Sequence, residues 1–110
     1  MKSAGNSEYK VIISRGAKMQ LAQILRYLRQ DLKSEQAARS VKEDMEDTKA
    51  RLSHVAGSLK LCDHPDLRAL GYRTIHLRHH QYFMLYKIVG NVVRVGGIYH
   101  DLQDYENIVR

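Results

Sequence analysis

Two hydrophobic periods divide this chain. After a short β-branched run, "YKVIIS" from Tyr9 to Ser14, which predicts a buried strand, Ala17, Leu21, Ile24, Leu25, Leu28 and Leu32 recur at helical spacing. Ser14 stands where an N-cap belongs, so the spacing predicts a first amphipathic helix of about 15 residues. The pattern breaks at "DLKSEQ", where Ser34 can cap a second helix and Glu35 falls at its positive end. Ala38, Val41, Met45, Thr48, Leu52 and Val55 then form one continuous stripe. Helices joined by so short a link must lie antiparallel, as a hairpin. Gly57 and the loop with Pro65 end the helical half.

Beyond Pro65 the period changes to two. "YRTIHLR" alternates, with Tyr72, Thr74, His76 and Arg78 on one face and Arg73, Ile75 and Leu77 on the other. "YFMLYKIV" is apolar on both faces and therefore predicted to be central. Gly90-Asn91 makes a short turn, and "VVRVGGIY" returns as a third strand. In "HDLQDYENIVR", Leu102, Tyr105, Ile108 and Val109 stand at helical spacing after Asp101, which predicts a short last helix. The expected fold class is α+β, a small sheet with the N-terminal helical hairpin packed on one face. Leu25, Leu28, Val41, Met45, Leu52, Ile75, Leu77, Leu85 and Val95 are expected to be buried together between the two layers.

Composition narrows the class. With 110 residues, 44% of them apolar, the chain suits one compact domain, which we place at 9–110 behind a loose tail at 1–8. A chain of this length buries roughly two thirds of its unfolded surface, so it needs no disulfide, and the lone Cys62 can form none internally. No apolar run reaches the length of a membrane span and "MKSAGNS" contains no signal-peptide core, so a cytoplasmic protein is expected. The net charge is +6, and it is unevenly placed. Between Gly57 and His100 stand Lys60, Arg68, Arg73, Arg78, Lys87 and Arg94 against only Asp63 and Asp66. Such a field attracts phosphate backbones or an acidic protein.

The segments "YKVIIS", "AA...V...M", "LRALGYRTI", "YFMLYKI" and "VVRVGGIYHDLQDY", in this order and spacing, resemble the RelE/ParE superfamily of bacterial type II toxins, from Tyr9 to Val109. The resemblance implies a small antiparallel sheet with an N-terminal helical hairpin, and a cognate antitoxin encoded in the same operon that wraps and inactivates the toxin. Its enzymatic branches cleave mRNA on the ribosome; the ParE branch binds and poisons DNA gyrase and cleaves nothing. RelE-like enzymes carry an arginine in a "YRxxY" pattern, where this chain has "YFMLY" with Phe83. YafQ-like toxins use several histidines. Their "GYR..H" segment corresponds to Gly71, Tyr72, Arg73 and His76, their histidine after the last strand to His100, and a further one to within a residue of His64. Thr74 and His80 stand where those toxins have aspartates.

Metal-free RNA cleavage needs a base for the 2′-hydroxyl, an acid for the leaving 5′-oxygen and cations for the phosphorane. Histidine can fill both proton roles near neutrality. On that reading His76 and His100 share the proton transfers, Arg73 or Arg78 steadies the phosphate, and His64 and Tyr105 position the message. Each residue also has a plainer role: His79 and His80 as turn residues, Arg73 as a packed stem whose head bonds at the sheet edge, Tyr105 as packing. Cys62 and His64 lack a zinc-ligand spacing, so no metal or cofactor is expected. The function expected from these residues is a metal-independent, ribosome-dependent mRNA endonuclease, with a non-enzymatic ParE-like binder of gyrase as the alternative and a plain nucleic-acid-binding module as a third reading. The acidic second helix, with Glu35, Glu43, Asp44, Glu46 and Asp47, argues against the third.

Overall fold

The computed structural model describes residues 8–102. The proposed N-terminal tail up to Ser7, and Tyr105 with the rest of the last helix from residue 103 on, lie outside the described residues. Strand β1 (Lys10–Ile13) leads into α1 (Arg15–Arg26), whose first turn is capped by the Ser14 hydroxyl accepting from Ala17 N at 3.0 Å. The last turn widens into a π-helical segment, Tyr27–Asp31, with Leu32 N donating to the Tyr27 carbonyl. Lys33 takes a left-handed conformation (φ 55°) to close the hairpin, and Ser34 caps α2 (Glu35–Val55) through Ala37 N. Both caps stand where the sequence places them.

A 3₁₀ turn (Ala56–Ser58) follows, then a short helix, α3 (Pro65–Ala69), which the sequence reading treats as loop. Strands β2 (Tyr72–His76), β3 (Tyr82–Val89) and β4 (Val92–His100) form the antiparallel meander. The strand order is β1-β4-β3-β2, and β1 joins β4 in parallel. The helical hairpin and the α3 segment carry the chain from β1 across the sheet to β2 at the opposite edge, and the meander then returns β4 to lie beside β1.

The expectation of a buried first strand is corrected here. β1 is an edge, turning Val11 and Ile13 toward the hairpin and leaving Lys10 and Ile12 exposed. The expected single core is also corrected, since two clusters lie on opposite faces of the sheet. Leu28, Val41, Met45, Leu52, Ile75, Leu77 and Val95 pack together under the hairpin with Met84 and Tyr86, Leu25 being only partly buried beside them. Leu85 points the other way, into a smaller cluster with Cys62, Leu67, Phe83 and Tyr99. A central strand with apolar residues on both faces needs cover on both, and the segment around α3 covers the second.

One irregularity in β4 decides where the end of that strand points. Leu85 pairs with Gly97 but the next residue, Tyr86, pairs with Val95, so Gly96 is the extra residue of a bulge. Simple alternation from Val93 and Val95 would continue to Gly97 and Tyr99 on the hairpin face. The bulge instead puts Ile98 and His100 there. The two glycines are not equivalent. A Cβ on Gly97 would lie 2.5 Å from the Tyr99 ring, which is itself packed on Phe83 at 5.7 Å between centroids, whereas a Cβ on Gly96 meets nothing. Gly97→Ala is therefore expected to cost about 1–3 kcal/mol through overpacking, and Gly96→Ala to stay within about 0.5 kcal/mol of wild type. Equal midpoints for the two variants in a denaturant titration would contradict this packing.

Candidate functional site

The sheet brings His76 and His100 to the same end and onto opposite faces. His76 is paired in register with Phe83, and His100 with Tyr82. Residues directly opposed across antiparallel strands share a face, whereas Tyr82 and Phe83, being consecutive, do not. On the face away from the hairpin, His76 Nδ1 lies 3.2 Å from Asp101 Oδ1 and its ring sits 5.4 Å from that of Phe83. On the hairpin face, His100 meets Tyr82 edge-on at 5.3 Å, and its Nδ1 accepts from Leu102 N. It lines a cleft of about 310 Å³ with Gln20, Gln23, Tyr27 and Ile98. Burial and the neighbouring Tyr27 raise the Tyr82 hydroxyl above its ordinary pKa, so this phenol stays neutral.

The remaining sequence candidates are dispersed. Arg73 donates from Nη1 to the Leu59 carbonyl, and beside it Cys62 N donates to Tyr72 O, so the arginine straps the segment ahead of α3 to the edge strand. This is the structural role that alternation allowed for it. His64 is the N-cap of α3, its Nδ1 accepting from Asp66 N at 3.2 Å. Arg78 lies in the bend after β2, in a cleft against α2 with Glu43, Asp47, His79 and His80. Tyr105 lies outside the described residues. Phe83, at the position where RelE-like enzymes carry an arginine, is 3% exposed in the second cluster. Among the described residues no group of three His, Cys, Asp or Glu side chains gathers to hold a metal. No helix among them is long and apolar enough to cross a membrane.

Sequence reasoning missed two residues that organise this end of the molecule. Asp44, taken as part of an acidic surface, is buried: its Oδ2 accepts from His79 N at 2.9 Å and lies 2.7 Å from His80 Nδ1, which pins the β2–β3 bend to α2. Burial pushes its carboxyl upward, but the hydrogen bonds from His80 and His79 together outweigh that and leave the pKa lowered. Arg51 reaches from α2 to the His76 carbonyl at 3.3 Å. Asp44 does carry a sequence signal, since it stands three residues beyond Val41, one before Met45 and four before Thr48, on the buried stripe.

What the arrangement can do chemically follows from these positions. His76 with Asp101 is an oriented imidazole, able to move one proton, but neither His100 nor the Arg73 guanidinium shares its face. A general acid and base must both reach one scissile bond. Comparison with known proteins gives a direction. Residues 11–105 match the family model described as ParE toxin of type II toxin-antitoxin system, parDE. No curated protein matches the chain. Among solved structures, a chain of the chromosomal ParDE TA system from P. aeruginosa superposes with a TM-score of 0.70 at 18% identity, over 84% of this chain and 96% of that one. At that identity the likeness speaks for the fold.

Proposed function

Because this chain belongs to the ParE toxin family of type II toxin–antitoxin systems, with a cognate antitoxin as its partner, we propose that it acts in the cytoplasm by binding and poisoning DNA gyrase and cleaves no RNA. The observation that carries this reading is the separation of His76 from His100 by the thickness of the sheet. Two further placements support it. Arg73 is engaged with the Leu59 carbonyl, and the residue directly opposite His76 is the buried Phe83, which puts an apolar ring where phosphoryl chemistry would need a cation beside that histidine. A binder, by contrast, needs only a surface. The working unit is the single domain 9–110.

Supercoiling by gyrase and cleavage of ribosome-bound message, run in parallel, test this. Wild type is expected to stall gyrase and leave the message uncut, and His76→Gln and His100→Gln to retain that activity within about threefold. Loss of a general acid or base would instead cost about 10²–10⁴-fold. Message cut by wild type, with a loss of that size in His100→Gln, would restore the endonuclease reading.

A further inference from the structure

The basic excess of the second half is consumed unevenly. Lys60 and Arg68 lie 3.6 and 3.9 Å from Asp63, and Arg68 also donates to the Cys62 carbonyl. Arg73 donates to the Leu59 carbonyl, and Arg78 lines a cleft that also holds Glu43 and Asp47, without an ion pair to either. Lys87 and Arg94 are different. They stand directly opposite each other on β3 and β4, in a row that the pairing register carries across all four strands: Tyr72, Lys87, Arg94, Ile12. Among the described residues no carboxylate forms an ion pair with either. The Lys87 ammonium rests over the Tyr72 ring, 5.4 Å from its centroid.

Like charges directly opposed across a strand pair are destabilising, so this row is not arranged for the stability of the isolated chain. The row lies on the face away from the hairpin. It borders a cleft of about 300 Å³ where the bulged Gly96 presents bare backbone. Beside it, Ile12 is 42% exposed and Val89 48%, with Val92 between them in a second hollow that Arg94 also lines. Two cations with no ion-pair partner among the described residues, flanked by three aliphatic side chains, fit a polypeptide carrying carboxylates between apolar residues. A phosphate backbone has no use for the aliphatic flank, and a second copy in two-fold contact would set these cations against themselves.

We infer that the Tyr72–Lys87–Arg94–Ile12 row is the docking line for an acidic, apolar-flanked segment of the antitoxin. Its carboxylates sit between Lys87 and Arg94, and its apolar side chains cover Ile12, Val89 and Val92. This rests on the toxin–antitoxin assignment and adds to it the surface and the chemistry of the contact.

The test uses the full chain and the antitoxin encoded beside it. Lys87→Glu and Arg94→Glu are each expected to weaken the complex at least about tenfold, mainly by slowing association at low salt. The melting temperature of free Lys87→Glu is expected to change little, because the substitution turns a repulsive cross-strand pair into an attractive one while giving up the ammonium–ring contact with Tyr72. A photo-cross-linking residue in place of Ile12 is expected to capture an antitoxin segment containing Asp or Glu. Unchanged affinity in both variants, or capture of a second toxin copy or of this chain's own residues 103–110, would overturn the inference. So would loss of single-stranded RNA or duplex DNA binding in the variants while antitoxin affinity held. If the antitoxin still rescues cells and binds the variants normally, only this surface is wrong; a harmless chain that ignores its neighbour's product would sink the toxin reading itself.

Discussion

Truncating Leu52 or Leu85 to alanine is expected to cost about 2–5 kcal/mol in either case, although the two side chains lie on opposite faces of the sheet. Leu52, on α2, has no exposed surface and belongs to the main cluster between hairpin and strands. Leu85, 2% exposed, belongs to the second cluster, where Phe83, Tyr99, Leu67 and Cys62 close over it. Deleting three carbons at either place removes their transfer free energy and leaves a cavity that close-packed neighbours fill only partly. Leu25 is the internal comparison. It is partly buried at the margin of the main cluster, so Leu25→Ala is expected to cost less than half as much. Urea titrations with unchanged m-values would check all three. A near-neutral Leu85→Ala would mean that the α3 segment does not roof the sheet and that the molecule has one core.

The helical half of this fold was readable because each signal in it is local. Ser14 and Ser34 cap where a short polar side chain precedes an apolar period, and the Ala38-to-Leu52 stripe is buried as its spacing requires. The meander was readable from its period of two and from the Gly90-Asn91 turn. Pairing between distant segments was less so. Nothing in "YKVIIS" says that its partner is β4, in parallel, and at an edge. The face of His100 was unreadable for a sharper reason. Alternation counts residues, and the bulge at Gly96 inserts one, which sends every later side chain to the opposite face. His76 and His100 thus lie at one end of the sheet and are divided by it. The Gly-Gly pair was the available warning, since glycine inside a strand often marks a bulge or a close approach.

Asp44→Ala is expected to destabilise the protein by about 2–4 kcal/mol, more than a substitution on an acidic helix surface would suggest. The carboxylate is 1% exposed and joins α2 to the β2–β3 bend through one oxygen, Oδ2, which accepts from the His79 backbone and contacts the His80 ring. Alanine would leave the His79 N–H, and the His80 nitrogen where it donates, without a partner, and would release the bend that sets β2 against β3. The other oxygen, Oδ1, is buried with no partner among the described residues, so the native carboxylate already carries an uncompensated cost. That cost places the expected loss below the upper end for a broken buried pair. The charge matters as well as the shape. The Asp44 carboxyl is held below the ordinary aspartate value of 3.8, so its contribution is complete above that pH and is lost as pH falls through the lowered folded-state value. Asp44→Asn keeps the shape and an acceptor, so it should cost less than alanine near neutrality and show a flatter acid limb than wild type from about pH 4 downward. Thermal melts across that range separate the two effects. Parallel acid limbs in wild type and Asp44→Asn would mean that the carboxylate is not the group that ties the histidine bend to α2.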